Sequence, residues 1–236
     1  MKLRYFACAG AISVALLQGS FGQNFLNLDF EQASVPPTPV GEYGDSVDPA
    51  LALPGWIVDG NGAFGVRIVY NNLSLGAPTV SIIGPSFPNE TGLSSLEGDY
   101  SVLLLFFGNF LGPPTLSQTG MIPADAKSIN FLVSNWATEA QVTLNGVAIP
   151  VVSIGDGRLA GDVTSFAGLT AQLTFSTTAA RGFPQSFYFD DVRFSASSIP
   201  EPSSLWLLGI GVLLLGYRLF KPSRIITWFA SSSSSQ

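Results

Sequence analysis

Short apolar runs separated by turn residues fill the chain between residues 24 and 195. Each run is rich in Val, Ile, Leu, Phe and Thr and is bounded by Gly, Pro, Asn or Asp, which is typical of β-strands. The runs are 24–30, 64–70, 79–83, 100–107, 128–134, 141–152, 171–176 and 186–195. No comparably convincing amphipathic helix accompanies them. About eight short strands at this spacing predict an all-β fold with two packed sheets.

Two runs carry more detailed information. Asn145-Gly146 lies between apolar residues and supplies the two positive-φ positions of a type I′ hairpin turn. Pro150 then predicts an edge position or the end of a strand, because proline cannot donate a ladder hydrogen bond. Residues 102–107 are apolar without interruption, which predicts a strand covered on both faces or at the centre of the sandwich. Turns are predicted at 59–62, 112–114 and 155–157.

The C-terminal region has a different pattern. Residues 203–217 contain no charge and favour hydrocarbon, whereas the basic residues Arg218, Lys221 and Arg224 resist crossing it. We therefore predict a single transmembrane helix with the following residues, 225–236, as a cytoplasmic tail. The uninterrupted apolar run is shorter than the roughly 20 residues of a comfortable span, so the anchor is marginal.

The N-terminal residues predict a secretory signal peptide over residues 1–22. Lys2 and Arg4 precede an apolar stretch, and Ser20-Phe21-Gly22 provides a small-x-small cleavage site. The single cysteine, Cys8, lies in the apolar stretch and is discarded with it. Residues 23–198 are then one ectodomain, since their number suits one well-filled domain better than two.

Composition excludes several kinds of chemistry. The chain has no His, and after signal removal it has no Cys, so a catalytic triad based on His, a His/Cys zinc site and a structural disulfide are all excluded. The predicted ectodomain has five basic and fifteen acidic residues, a formal charge of −10. Nucleic acid is therefore not an expected partner, because its binding requires neutralisation of phosphates by Lys and Arg.

The order Pro200-Glu201-Pro202, apolar helix, basic cluster resembles the PEP-CTERM sorting signal of Gram-negative bacteria that produce exopolysaccharide. The resemblance covers residues 199–224 and implies processing by the membrane enzyme exosortase, after a transient stay in the inner membrane. Delivery to the cell surface or extracellular matrix would follow. The extension 225–236 departs from this pattern, and the alternative for the Pro-Glu-Pro triplet is a simple linker.

Three further segments, 27–31, 96–102 and 189–194, resemble pieces of jelly-roll, galactose-binding-like domains found in carbohydrate-binding modules. The resemblance implies a jelly-roll sandwich for the ectodomain. It also implies a structural calcium ion held by Glu31 and Asp190, with Asp191 beside them, because hard carboxylate oxygens suit Ca²⁺. The alternative is that these three are ordinary solvated residues flanking strands.

Two ligand hypotheses remain for the ectodomain. Trp56 and Trp136, with Tyr43 and Tyr70, are candidates for a platform on which a sugar ring stacks; the alternative is that the tryptophans belong to the core. A pair of carboxylates is the alternative that would make the protein a secreted glycan hydrolase, but no spacing singles out a pair. We therefore expect an exported, non-catalytic protein with a structural role or a role in binding polysaccharide.

Overall fold

The computed structural model describes residues 24–35, 47–60, 67–72, 79–85, 87, 93–106, 112–134, 140–178 and 185–199. These residues form twelve strands, a short helix and a 3₁₀ turn. The strands are β1 (Ile57–Gly60), β2 (Arg67–Tyr70), β3 (Thr79–Ile83), β4 (Ser101–Phe106), β5 (Pro114–Met121), β6 (Ser128–Val133), β7 (Gln141–Leu144), β8 (Val147–Ala148), β9 (Val151–Gly155), β10 (Arg158–Asp162), β11 (Thr170–Ser176) and β12 (Gln185–Ser195). The helix is α1 (Pro49–Ala52), and the 3₁₀ turn is Thr164–Phe166.

The strands form two sheets that pack face to face. Five strands have the order β1-β5-β11-β7-β8, and seven have the order β2-β3-β4-β12-β6-β10-β9. From β4 onward the chain passes repeatedly from one sheet to the other, as in a jelly roll. Neighbouring strands are antiparallel except for the parallel pair β2 and β3. The predicted all-β, two-sheet jelly-roll sandwich is confirmed.

The core lies between the sheets and is rich in phenylalanine. Phe131 and Phe187 come from the seven-stranded sheet and Phe175 from the five-stranded one, and their ring centroids lie 5.5 to 6.0 Å apart. Every residue of β4 is buried, because a second apolar cluster lies on the other face of this strand. That cluster comprises Ile83, Phe87, Leu93, Leu103, Leu105 and Tyr188. The prediction that this strand is covered on both faces is confirmed.

The predicted hairpin is also confirmed. Asn145 and Gly146 have φ values of 50° and 77° and join β7 to β8. Strand β8 lies at the edge of the five-stranded sheet. After Pro150 the chain enters β9, which lies at the edge of the other sheet, so Pro150 separates two edge strands as its missing donor requires.

The first predicted strand is wrong. Of residues 24–30, only Asn24 makes a bridge, to Met121, and the following residues form turns in which Asn27 and Phe30 have φ values of 50° and 58°. These positive φ values are incompatible with an extended strand. The apolar residues of this stretch serve the core instead, where Phe30 is fully buried.

Three strands were missed because their sequences lack a continuous apolar run. Strand β5 contains mostly Ser, Thr, Gln and Gly, and it begins at Pro114, inside the predicted turn 112–114. Strand β10 contains Gly161, where an added Cβ would lie 3.2 Å from the carbonyl oxygen of Pro150. Strand β1 ends at Gly60, inside the predicted turn 59–62. In each case pairing with neighbouring strands stabilises the extended backbone.

Among the described residues, no helix is long and apolar enough to cross a membrane. The predicted signal peptide, the Pro-Glu-Pro triplet, the apolar segment, the basic cluster and the tail all lie outside the described residues.

Candidate functional site

Three segments distant in sequence meet and line a half-open cavity of about 280 Å³. They are the turns after Asn24, the loop before β4, and the middle of β12. We call this the acidic cavity. Its lining residues are Asp29, Glu31, Glu97, Gly98, Asp190, Asp191 and Arg193. The structure thus brings together the three residues for which the sequence resemblance implied a shared site.

Glu31 connects the first turns to the loop before β4. Both of its carboxylate oxygens accept a hydrogen bond from the backbone N–H of Asp99 at 3.0 Å. Its Oε1 also accepts a hydrogen bond from the N–H of Tyr100 at 3.0 Å. Gly98 makes this approach feasible, because it has a φ of 58° and a Cβ there would overlap the Glu31 carboxylate. The carboxylate charge is therefore balanced by amide dipoles.

Asp190 lies deeper and is only 1% exposed. Its Oδ2 accepts the backbone N–H of Glu97 at 3.0 Å and the hydroxyl of Ser101 at 2.7 Å, and its Oδ1 accepts the N–H of Asp191 at 2.6 Å. Burial raises the pKa of Asp190 to about 7, although these hydrogen bonds lower it and the charge of Glu31 adds a smaller increase. Burial dominates because water cannot solvate the ionised form.

Asp191 is held between two arginines. Arg158 donates from Nη2 to Oδ2, and Arg193 donates from Nε to Oδ1 at 2.6 Å. Burial raises the pKa of Asp191, but the hydrogen bonds and positive charges of both arginines outweigh it and lower the pKa below its ordinary value. Glu97 completes the network, with its oxygens 3.4 Å from Arg158 and 3.3 Å from Arg193.

A backbone irregularity brings the side chains of these two adjacent aspartates to the same cavity. The register between β12 and β6 shifts between Asp190 and Arg193, and Asp191 has a φ of 47°. In a regular strand, adjacent side chains point to opposite faces of the sheet. The bulge instead allows both aspartates to line one cavity, which is the usual effect of a bulge on side-chain direction.

The arrangement does not fit a calcium ion. Calcium takes about six to eight oxygen ligands, but both oxygens of Glu31, Asp190 and Asp191 already accept hydrogen bonds from protein groups. Two guanidinium cations also lie against Asp191, where they would repel a divalent cation. Within the part of the chain that the structure describes, no group of three or more acidic side chains could hold a metal ion. Calcium binding stays an expectation from the family resemblance alone, this geometry disfavours it, and a chelation experiment tests it.

Trp56 belongs to the core, which corrects its proposed role in stacking. It is 6% exposed, its indole N–H donates to the carbonyl of Asn27 at 2.9 Å, and its ring lies 5.7 Å from Phe30 and 6.1 Å from Phe175. Its faces are thus covered by aromatic neighbours and offer no surface to a sugar. Tyr70 is also buried.

The other two members of the suggested platform, Trp136 and Tyr43, lie outside the described residues.

The paired-carboxylate alternative finds little support in this cavity. A carboxyl group with a raised pKa beside an ionised one can act as a general acid. Asp190 has such a pKa, but its burial and its three protein donors leave it no access to a glycosidic oxygen. The observed geometry is suited to joining segments of the fold.

Sequence reasoning missed several members of this network. Glu97 and Gly98 lie in the segment 96–102 that resembles galactose-binding-like domains, but the resemblance implies no role for either residue. Arg158 directly follows the predicted turn 155–157, and an arginine at the start of a strand carries no signal for its partner. Ser101 is the first residue of β4, and only the pairing of β4 with β12 brings it near Asp190.

Comparison with known proteins identifies the C-terminal segment. Residues 198–221 match the family model described as the PEP-CTERM protein-sorting motif, which confirms the motif predicted at 199–224. A comparison with curated proteins gave no match.

Two solved structures are similar to the chain at low identity. One is the enzymatically active domain of bacteriophage CBA120 tailspike protein 4, at 14% identity and a TM-score of 0.34, where the match covers 60% of this chain and 19% of that one. The other is TmCBM61 in complex with β-1,4-galactotriose, at 14% identity and a TM-score of 0.31, where the match covers 73% of this chain and 98% of that one. At these values neither similarity assigns a ligand or an activity to this chain.

Proposed function

We propose that this protein is an exported substrate of exosortase, held in the inner membrane by its C-terminal segment and then delivered to the cell surface or extracellular matrix. Its β-sandwich would act there without catalysis, as a structural or polysaccharide-binding component. The observation that carries the proposal is the match of residues 198–221 to the PEP-CTERM protein-sorting motif. The motif begins directly after the sandwich, whose last strand ends at Ser195.

The physical properties of the segment support this role. Pro200 and Pro202 restrict φ and remove backbone donors, so an extended chain is favoured around Glu201. An extended peptide with one charge is a suitable ligand for the groove of a processing enzyme. The uncharged residues 203–217 favour the bilayer, and the basic cluster that follows stays on the cytoplasmic side.

The features of the described sandwich support a non-catalytic role. The carboxylates of Glu31, Asp190 and Asp191 in the acidic cavity accept hydrogen bonds from amide, hydroxyl or guanidinium donors that connect parts of the fold. A screen of the ectodomain against neutral and acidic glycans separates the two remaining roles: specific binding supports polysaccharide recognition, and no binding supports a structural component.

The sorting role is tested by Glu201→Ala in a host that carries exosortase. We expect full-length variant protein to accumulate in the inner membrane, while the wild type appears outside the cell in a shortened form. Asp125→Ala is a matched control, because Asp125 is an exposed acid in a turn of the sandwich. The wild type in a host without exosortase should behave like the Glu201 variant. Equal release of wild type and Glu201→Ala would show that the triplet is only a linker.

A further inference from the structure

The chain is held to the sandwich beyond the end of its last strand. Ser195 of β12 lies opposite Ser128 of β6, and the backbone N–H of Lys127 donates to the carbonyl oxygen of Ser195 at 2.8 Å. Two residues further on, the Ser128 hydroxyl donates to the carbonyl oxygen of Ser197 at 2.8 Å. The backbone N–H of Ser197 donates to the Ser195 hydroxyl at 3.0 Å. Serine hydroxyls of the sandwich therefore engage both backbone groups of Ser197.

Little chain is left between this attachment and the sorting triplet. Only Ser198 and Ile199 separate Ser197 from Pro200. Two extended residues span at most about 7 Å. An enzyme that binds the triplet therefore finds no more than two free residues before it.

Binding in a processing groove competes with this attachment. A groove that holds a peptide in an extended form pairs with its backbone N–H and C=O groups, as an added β-strand does. The groups of Ser197 are not available for such pairing while the two serine hydroxyls engage them. Ser128 is 4% exposed, so water does not readily replace the bond that its hydroxyl donates.

The attached residues can nevertheless be released without unfolding the sandwich. Ala196, Ser197 and Ser198 are exposed, so their detachment uncovers little surface. Local opening of such exposed segments costs far less free energy than global unfolding. We call the attached conformation the closed form, and the conformation in which residues 196–199 are detached the open form.

We propose that the sandwich controls the processing of its own sorting motif: the enzyme acts on the open form, and Ser128 sets the fraction of chains that are open. This inference rests on the proposed processing by exosortase and adds a regulation of that site. When a ligand binds only one of two conformations, the apparent affinity is reduced by the fraction of molecules in that conformation. A change that favours the open form therefore speeds processing, although the triplet stays the same.

The rate at which full-length protein is converted to the shortened form tests this control. It is measured by pulse labelling of the full chain in a host that carries exosortase. Ser128→Ala removes the bond to the carbonyl oxygen of Ser197, which water can solvate because Ser197 is exposed. We expect conversion to be about two- to tenfold faster, the factor that corresponds to the loss of one hydrogen bond.

A longer connection tests the same control without any change in the sandwich. Inserting Gly-Ser-Gly-Ser between Ile199 and Pro200 supplies free chain before the triplet, so conversion should again be faster than in the wild type. Opening is then no longer required. Adding Ser128→Ala to the extended chain should therefore have no further effect, and this lack of additivity is the signature of a shared cause.

Ser81→Ala is a matched control. The Ser81 hydroxyl also donates to a backbone carbonyl oxygen, that of Asn72, at 2.8 Å, and Ser81 is buried in β3, a strand that pairs with neither β6 nor β12. Its conversion rate should match that of the wild type. Hydrogen exchange at residues 196–199, in membranes from a host without exosortase, should be faster in Ser128→Ala than in Ser81→Ala. Thermal melting checks that both variants fold.

The outcomes separate this inference from the proposed function. Release of Glu201→Ala at the wild-type level would overturn both. If Glu201→Ala is retained but Ser128→Ala is converted at the wild-type rate, only the control by the sandwich is overturned. Equal acceleration by Ser81→Ala, or an undiminished effect of Ser128→Ala in the extended chain, would also overturn that control.

Discussion

Asp190 should make the sandwich less stable as the pH rises from about 4 to about 8. Its pKa is about 7 in the folded protein and 3.8 ordinarily. Between these values the folded state retains a proton that the unfolded state has lost. The stability contributed by the protonated form is therefore fully present below about pH 4, and it is lost as the pH rises through 7.

The size of this effect follows from the two pKa values. A pKa difference of one corresponds to about 1.36 kcal/mol, so the rise from 3.8 to about 7 corresponds to a total of about 4 kcal/mol. Rather more than half of it, about 2 to 3 kcal/mol, falls between pH 5 and pH 8. Asp191 has the opposite sign, because its pKa is lowered, and its contribution changes below about pH 4, outside this interval.

The perturbation is Asp190→Asn, which cannot ionise. Its amide replaces one carboxyl oxygen by a donor and leaves one protein N–H or O–H without its acceptor, which costs about 1 to 3 kcal/mol. We expect the variant to be less stable than the wild type at pH 5 and to approach it at pH 8. The free energy of unfolding of residues 23–198 can be measured in urea, with the fluorescence of the buried Trp56 contributing to the signal.

The control is Asp125→Asn, in an exposed turn, which should keep the decrease of the wild type between pH 5 and pH 8. The reasoning would be refuted by a wild-type free energy of unfolding that is constant or rises across this interval. An equal decrease in Asp190→Asn would also refute it, because the titrating group would then lie elsewhere.

Two further predictions concern the acidic cavity. Gly98→Ala should lower the free energy of unfolding by about 3 kcal/mol, because the added Cβ strains the left-handed backbone and displaces Glu31. The control Gly146→Ala should lower it by only about 1 kcal/mol, because Gly146 has a φ of 77° but no atom within 4 Å of the added Cβ. Similar losses for the two variants, measured by urea denaturation, would contradict the role of Glu31. The melting temperature should be the same with EDTA and with added Ca²⁺, because arginines and amides already pair the carboxylates, and a rise specific to Ca²⁺ would instead support the ion expected from the sequence.

Local sequence patterns were sufficient to predict much of the fold and to recognise the sorting segment. Asn145-Gly146 predicts its hairpin because few residues other than Asn and Gly adopt positive φ at low cost. Continuous burial of β4 follows from its apolar sequence. The sorting motif is contiguous, so its triplet, apolar run and basic residues appear in order without any knowledge of folding.

Other elements depended on contacts between distant residues. Asn27 and Phe30 form turns in a stretch with a strand-like sequence, because the Phe30 ring packs into the core. Strand β5 extends despite its polar sequence because its neighbours on both sides pair with its backbone.

The sequence by itself determined the class of fold, the exclusion of histidine and cysteine chemistry, and the sorting segment, because each depends on composition or on neighbouring residues. Only the tertiary structure decided what the acidic residues do. Glu31 lies 68 residues before Asp99, from whose backbone amide it accepts a hydrogen bond. Arg158 lies 33 residues before Asp191, to which it donates a hydrogen bond. Whether a carboxylate binds an ion, an amide or a guanidinium depends on which donors the fold brings within about 3 Å, and no local pattern encodes that distance.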